Sequence, residues 1–149
     1  GGQNFASRDA YLVMQDPTRQ LFSDTVIDEV TLGTTKAEKQ HIDAHAILEE
    51  LDLADHEADH PQALSGGQRQ RLVIATALAA NKKVYIFDEP TSGVGYKHLV
   101  AISRVMRKLA DTGAVVIVIT HDAELVTEVA DHSVRLDQIN ACSDMCLQE

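Results

Sequence analysis

Two carboxylates stand side by side at the end of an apolar run, Val84-Tyr85-Ile86-Phe87-Asp88-Glu89-Pro90. A buried strand ending in this way presents both at the carboxyl edge of a parallel sheet, the edge at which open α/β folds bind ligands. One carboxylate can hold Mg²⁺ through water while its neighbour orients an attacking water. The plainer alternative makes Asp88 the cap of the next turn and leaves Glu89 in solvent. Upstream, Leu64-Ser65-Gly66-Gly67-Gln68 stands directly before a helical stretch. Glycines let backbone N–H groups approach a ligand closely, Ser65 adds a hydroxyl, and a helix N-terminus favours an anion. Alone, that segment is equally a loop and an N-cap. Followed by the carboxylate strand, it points to phosphate chemistry.

In combination these segments resemble the ATP-binding-cassette (ABC) ATPases. Leu64-Ser65-Gly66-Gly67-Gln68-Arg69-Gln70-Arg71 is similar to their signature, and Phe87-Asp88-Glu89-Pro90-Thr91-Ser92-Gly93 to their Walker B strand. Met14-Gln15-Asp16-Pro17 resembles the Q-loop and Ile119-Thr120-His121-Asp122 the switch histidine, all in the family's order. The similarity runs from about Tyr11 to Leu136. Within the family, Gln15-Asp16-Pro17-Thr18-Arg19-Gln20-Leu21-Phe22-Ser23, followed by Val26 and Val30, resembles the ATPases of energy-coupling-factor importers for vitamins and transition-metal ions.

The resemblance implies a P-loop NTPase fold of mostly parallel sheet with a helical subdomain, ATP and Mg²⁺ as cofactors, and a role for each matched residue. Asp88 would hold Mg²⁺ through water, and Gln15 would sense the metal and the γ-phosphate. Glu89 would be the general base or water-orienting group, and His121 would contact the γ-phosphate. Ser65, Gly66, Gly67 and Gln68 would clasp the γ-phosphate of a nucleotide held mainly by the other subunit of a head-to-tail dimer. The implied partners are a second ABC ATPase subunit and a transmembrane transporter subunit contacted near the Q-loop. That arrangement would make the protein cytoplasmic and peripheral at the inner face of the cell membrane.

Two departures from the family pattern limit this expectation. The phosphate-binding loop Gly-x-x-x-x-Gly-Lys-[Ser/Thr], whose N–H groups and lysine cradle the phosphates, has no counterpart, since the chain contains no Gly-Lys dipeptide. In the family that loop lies upstream of the Q-loop, so the chain looks like a member that begins late, with its phosphate-loop strand missing. Three charge-assisted hydrogen bonds at roughly 1.5 kcal/mol each make about 4–5 kcal/mol, on the order of a thousandfold in affinity. The chain alone is therefore expected to be inactive. A missing central strand is also expected to leave unpaired edges and exposed apolar side chains. The second departure is Ser92-Gly93-Val94-Gly95, where the family's aspartate position is Gly95; the alternative role for Gly95 is simply to start the next helix.

The elements that must position these residues follow from hydrophobic pattern. Tyr11–Met14, Val84–Phe87 and Ala114–Ile119 are apolar without alternation, the pattern of parallel strands covered on both faces. Val134–Leu136 is a candidate fourth. Ser23–Val30 reads as a short helix ending near Gly33, and Thr35 with Glu38 as a capping box before Ile42, Ala46, Ile47 and Leu51 at helical spacing. Further helices are expected from Gly66 to about Ala80, from beyond Gly95 to Gly113, and over Ala123–Val129. Strands alternating with helices give an α/β class. Residues 1–20 and 81–149 then form the core and 21–80 a helical subdomain.

Composition excludes several functions. The chain has 149 residues and a formal charge of −10, the wrong sign for a protein that coats nucleic acid by phosphate neutralisation. No nucleic-acid partner is expected, and Arg69 and Arg71 read as a helix surface near phosphate or partner. Residues 1–64 hold 4 basic and 13 acidic side chains, which places the acidity on the helical segment. No apolar run approaches the ~18 residues of a membrane span. His41 and His45, and His56 and His60, have a spacing that could chelate a metal from one helix face, but the favoured reading is a solvated acidic face that bears histidines. Cys142 and Cys146 lack a second ligand pair. The runner-up function is a non-catalytic module that donates its signature or docks a membrane partner.

Overall fold

A computed structural model describes residues 9–134. Three parallel strands, β1 (Ala10–Val13), β2 (Val84–Asp88) and β3 (Val115–Ile119), lie side by side in that order. Their register sets Tyr11, Tyr85 and Val116 in one row and Val13, Phe87 and Val118 in another. Side chains alternate across a strand, so these rows share a face, and Tyr85, Phe87 and Val13 are fully buried there.

Helices fill that face. Between β1 and β2 run α1 (Val26–Thr31), α2 (Lys36–Lys39), α3 (Ala44–Glu50) and the long α4 (Gly66–Ala79). After β2 come α5 (Tyr96–Asp111) and, beyond β3, α6 (Ala123–Val129). Leu48, Leu51, Leu72, Ile74, Ile102, Met106 and Leu125 join the buried strand residues in one continuous core. Tyr11 fastens β1 to α4 through a 2.6 Å hydrogen bond between its hydroxyl and Thr76 Oγ1. Burial raises the Tyr11 and Tyr85 phenols above their ordinary value.

The opposite face departs from expectation. Leu12, Ile86 and Ile117 form a row there, with Asp88 and Ile119 beside it. None of the three apolar residues of that row belongs to the core, and Leu12, Ile117 and Ile119 are 48%, 46% and 48% exposed. Apolar runs without alternation correctly mark strands built for cover on both faces, but the described residues supply helices to only one. β3 is also an edge strand among the described residues, as expected for a sheet that lacks a neighbour.

Local signals set the helix ends. Thr35 and Glu38 form the expected capping box. α1 begins at Val26, later than the expected Ser23, because Thr25 is extended and its hydroxyl accepts from Asp28 N–H. The N–H groups of Phe22 and Ser23 are taken instead by the buried Glu29 carboxylate, at 2.8 and 2.6 Å. Gly113, at φ +89°, carries the chain out of α5 in a conformation that costs other residues strain. The candidate strand Val134–Leu136 and both cysteines extend into or lie outside the described residues.

Candidate functional site

Asp88 is the last residue of β2, and the chain turns sharply after it. Glu89 adopts φ +48°, a left-handed conformation that a non-glycine residue holds only when its surroundings impose it. The surroundings here are two backbone hydrogen bonds. Glu89 N–H donates to Ile119 C=O at 2.8 Å, extending the β2–β3 ladder by one rung, and Ser92 N–H donates to Glu89 C=O at 3.1 Å. The kink aims the Glu89 side chain across the strand end at the loop after β3. There His121 Nδ1 meets Glu89 Oε1 at 2.7 Å, and Thr120 Oγ1 donates to Glu89 Oε2 at 3.3 Å. The adjacent carboxylate raises the His121 pKa above its usual 6.5.

The next residue pair ties the same two loops from below. Buried Thr91 donates from Oγ1 to Asp122 Oδ2 at 2.8 Å, while Asp122 Oδ1 caps α6 by accepting from Glu124 and Leu125 N–H. The Thr91 hydroxyl leads the contacts that hold the Asp122 carboxyl below its ordinary range. The loops after β2 and β3 are thus bolted together at two points.

On the other side of Asp88, Gln15 leaves the end of β1. Leu12, Met14, Gln15, Asp16, Arg19 and Asp88 line an open cavity of about 350 Å³. Asp16, Asp88 and Gln15 bring carboxylate and amide oxygens to it, the donor type that suits a hard cation such as Mg²⁺, and the Arg19 guanidinium in the same lining is paired with Asp16 at 3.5 Å. The loop carrying Gln15 is held by a residue that sequence reasoning missed. Gln20 accepts from Met14 N–H at 2.7 Å and donates to Leu12 C=O at 2.6 Å, acting as one more strand against the end of β1. Asp16 caps the 3₁₀ turn Pro17–Gln20 that brings it back. Nothing in local pattern marks an amide that pairs with backbone eight residues away.

Ser65 is the N-cap of α4. Its Oγ accepts from Gln68 N–H at 3.3 Å, and Gln68 Oε1 accepts from Ser65 N–H at 2.8 Å, a reciprocal box. Gly66 has open space where a Cβ would stand, whereas Gly67 faces the loop after β2, with Gly93 O 3.5 Å from such a Cβ. The four signature residues therefore sit at one helix start, near Gly93 and Val94. The side-chain hydrogen bonds of Ser65 and Gln68 run to each other and to His56, and Ser65 C=O accepts from Arg69 N–H; none runs to Gln15, Asp88, Glu89 or His121. The structure thus gathers Asp88 with Gln15 and Glu89 with His121, and holds the signature as a separate group.

Arg71 corrects the expectation of an exposed basic pair. It is buried, its Nε donates to Leu51 C=O at 2.8 Å, and burial lowers its pKa. Arg69 donates to Leu64 C=O. Both arginines brace the signature loop and helix from within. The histidine pairs are likewise not on shared helix faces. His45 lies in α3 and bonds Glu57, His56 ends one 3₁₀ turn, and His60 caps another by accepting from Gln62 N–H. Among the described residues no group of three His, Cys, Asp or Glu is placed to hold a metal.

The family profile described as ABC transporter matches residues 3–92. An ABC transporter ATP-binding protein of Treponema denticola is 39% identical over 137 residues, covering 92% of this chain and 28% of that protein. One from Pyrococcus furiosus is 38% identical over 130 residues, covering 84% of this chain and 50% of that protein. The chain thus spans half or less of the length of these curated relatives. An ATP-binding cassette solved as a dimer in a post-hydrolysis state, bound to ADP and Pi, superposes with a TM-score of 0.68 at 28% identity, over 81% of this chain and 56% of that one. CbiO1 of Clostridium perfringens, part of the ABC transporter complex CbiONQ, gives a TM-score of 0.59 at 31% identity, over 80% and 49%. With the profile covering more than half of its residues, the chain belongs to the ABC transporter family, as part of an ATP-binding domain.

Proposed function

We propose that this chain carries the hydrolytic edge and the signature of an ABC transporter ATPase but not the loop that grips the nucleotide. Asp88 and Gln15, which share the cavity at the β1–β2 strand ends, are the residues that would hold Mg²⁺. Bound there, the ion supplies charge neutralisation for a transferring phosphoryl group. In a site completed by a phosphate loop, Glu89 would accept the proton of, or orient, the water that attacks the γ-phosphate. The carboxylate of Glu89 in turn holds His121 through Nδ1, which keeps that ring at the strand end where it can reach a γ-phosphate oxygen. Catalysis of this kind is chiefly positioning plus electrostatics.

The Ser65–Gln68 segment acts in trans, clasping the γ-phosphate of a nucleotide whose phosphate loop belongs to a second ATPase subunit. The energy-coupling-factor type is supported by the likeness to CbiO1, and coupling to a transmembrane subunit by the exposed Phe22, 74% accessible just after the Gln15 loop. No helix among the described residues is long and apolar enough to cross a membrane; the peripheral place at the cytoplasmic face rests on the transporter role proposed here.

The observation that carries this reading is the meeting of Glu89 and His121 from loops on neighbouring strands. The trans-acting role of Ser65–Gln68 is tested by mixing the chain with an ABC ATPase subunit that keeps its phosphate loop but whose own signature has been disabled. Restored phosphate release that is lost on Ser65→Arg supports the reading; absence of a complex together with unchanged activity refutes it.

A further inference from the structure

We propose that His56 is a positioning residue of the signature, acting through Gln68 on Ser65. Three hydrogen bonds run in series. His56 Nδ1 lies 2.7 Å from Asp59 Oδ2, His56 Nε2 lies 2.8 Å from Gln68 Nε2, and Gln68 Oε1 accepts from Ser65 N–H at 2.8 Å. An ionised carboxylate only accepts, so Asp59 places the ring proton on Nδ1 and leaves Nε2 a lone-pair acceptor. Only the NH₂ end of the Gln68 amide can satisfy that acceptor. The carbonyl end must then face the opposite way, towards Ser65 N–H.

The consequence falls on the residue that reads phosphate. Ser65 N–H is taken up inside the segment, and Ser65 Oγ already accepts from Gln68 N–H at 3.3 Å. What remains for an outside ligand is the Ser65 hydroxyl proton. A tautomer choice made at Asp59 thus selects which Ser65 donor faces outward. With the ring proton on Nε2 instead, Gln68 would turn over, its NH₂ would oppose Ser65 N–H, and the box would open. The functional meaning rests on the trans-acting role proposed for Ser65–Gln68; the chain of hydrogen bonds stands without it.

The experiment is nuclear magnetic resonance on the whole chain at pH 8, without nucleotide. Ring-nitrogen shifts report the His56 tautomer, and amide exchange reports Ser65. The expected result is a proton on Nδ1 and, in His56→Ala, Ser65 exchange about tenfold faster, the loss of one hydrogen bond, with Leu72 and Val73 amides unchanged. His56→Gln, whose carbonyl can accept from Gln68, restores the slow exchange. A proton on Nε2 in the unsubstituted chain, or Ser65 exchange indifferent to His56→Ala, overturns the proposal. Should His56→Ala unfold, the tautomer and the glutamine variant decide it. Failure of the chain to restore activity to a signature-disabled partner would sink the trans-acting role while leaving these readings intact, so the two failures are distinguishable.

Discussion

Glu89 and His121 lie 32 positions apart and meet at 2.7 Å, because the backbone of Glu89 turns left-handed and pairs with Ile119, the last residue of β3. The carboxylate is mostly shielded and the imidazole is 89% exposed, so the histidine is poised at the surface by a partner it does not share with solvent.

That contact has a pH signature. The carboxylate lifts the folded-state pKa of His121 above 6.5, so the contact's contribution to stability is complete below 6.5 and is lost as pH rises through the raised folded value. A proton titration of His121 is expected to show a midpoint above 6.5 that falls in Glu89→Gln. Equal midpoints in the two proteins would contradict the pairing.

Thr91 offers a stability test at the lower bolt. Thr91→Val removes the donor to Asp122 while preserving shape, and is expected to cost about 1–2 kcal/mol in urea unfolding at neutral pH. Asp122 has a lowered folded pKa, so its share of stability is present above 3.8 and fades as pH falls through that lowered value. The difference between the two proteins should therefore shrink in acid. A constant difference from pH 7 to pH 2 would mean that the hydroxyl acts otherwise.

Gly67→Ala separates fold from function. A Cβ there meets Gly93 O at 3.5 Å, an ordinary contact, with negative φ, and alanine is better than glycine in a helix by up to about 1 kcal/mol. Thermal unfolding is expected to be unchanged or slightly raised, while restoration of a signature-disabled partner falls. A melting temperature lowered by several degrees would show that the site is tighter than its geometry indicates.

Gly95→Asp puts back the residue type that the family resemblance leads one to expect. Gly95 is the N-cap of α5, extended at φ −79° and ψ 166°, with no side-chain cap and open space for a Cβ. A carboxylate there can accept from the first free N–H groups and is expected to stabilise by a few tenths of a kcal/mol. A fall in stability would mean that the loop from Ser92 to Gly95 depends on glycine.

What was legible in the sequence was what depends on neighbours in the chain. The apolar runs located all three strands to within a residue, and Thr35, Gly66 and Gly113 marked helix ends. Gln15, Ser65, Asp88, Glu89 and His121 stood out because their types and order match a known pattern. What escaped depends on distant pairing. Gln20 reads as an ordinary polar residue until it bonds both sides of the β1 end, and Glu29 as a solvated one until it takes up two N–H groups before α1. Arg71 looks exposed in a polar signature helix that starts with two glycines after Ser65, yet the Leu51 carbonyl at the end of α3 takes its Nε–H. The uncovered Leu12–Ile117 face was foreseen only as a consequence of a missing strand, since each run on its own reads as buried on both sides.

The central claim, that the chain keeps the phosphate-reading edge without the nucleotide cradle, is tested most directly by calorimetric titration of the purified chain with Mg·ATP. Loss of three charge-assisted hydrogen bonds weakens binding by on the order of a thousandfold, so the account predicts no heat of binding at micromolar ATP and no phosphate release. Micromolar affinity, or steady hydrolysis by a lone copy, would contradict it.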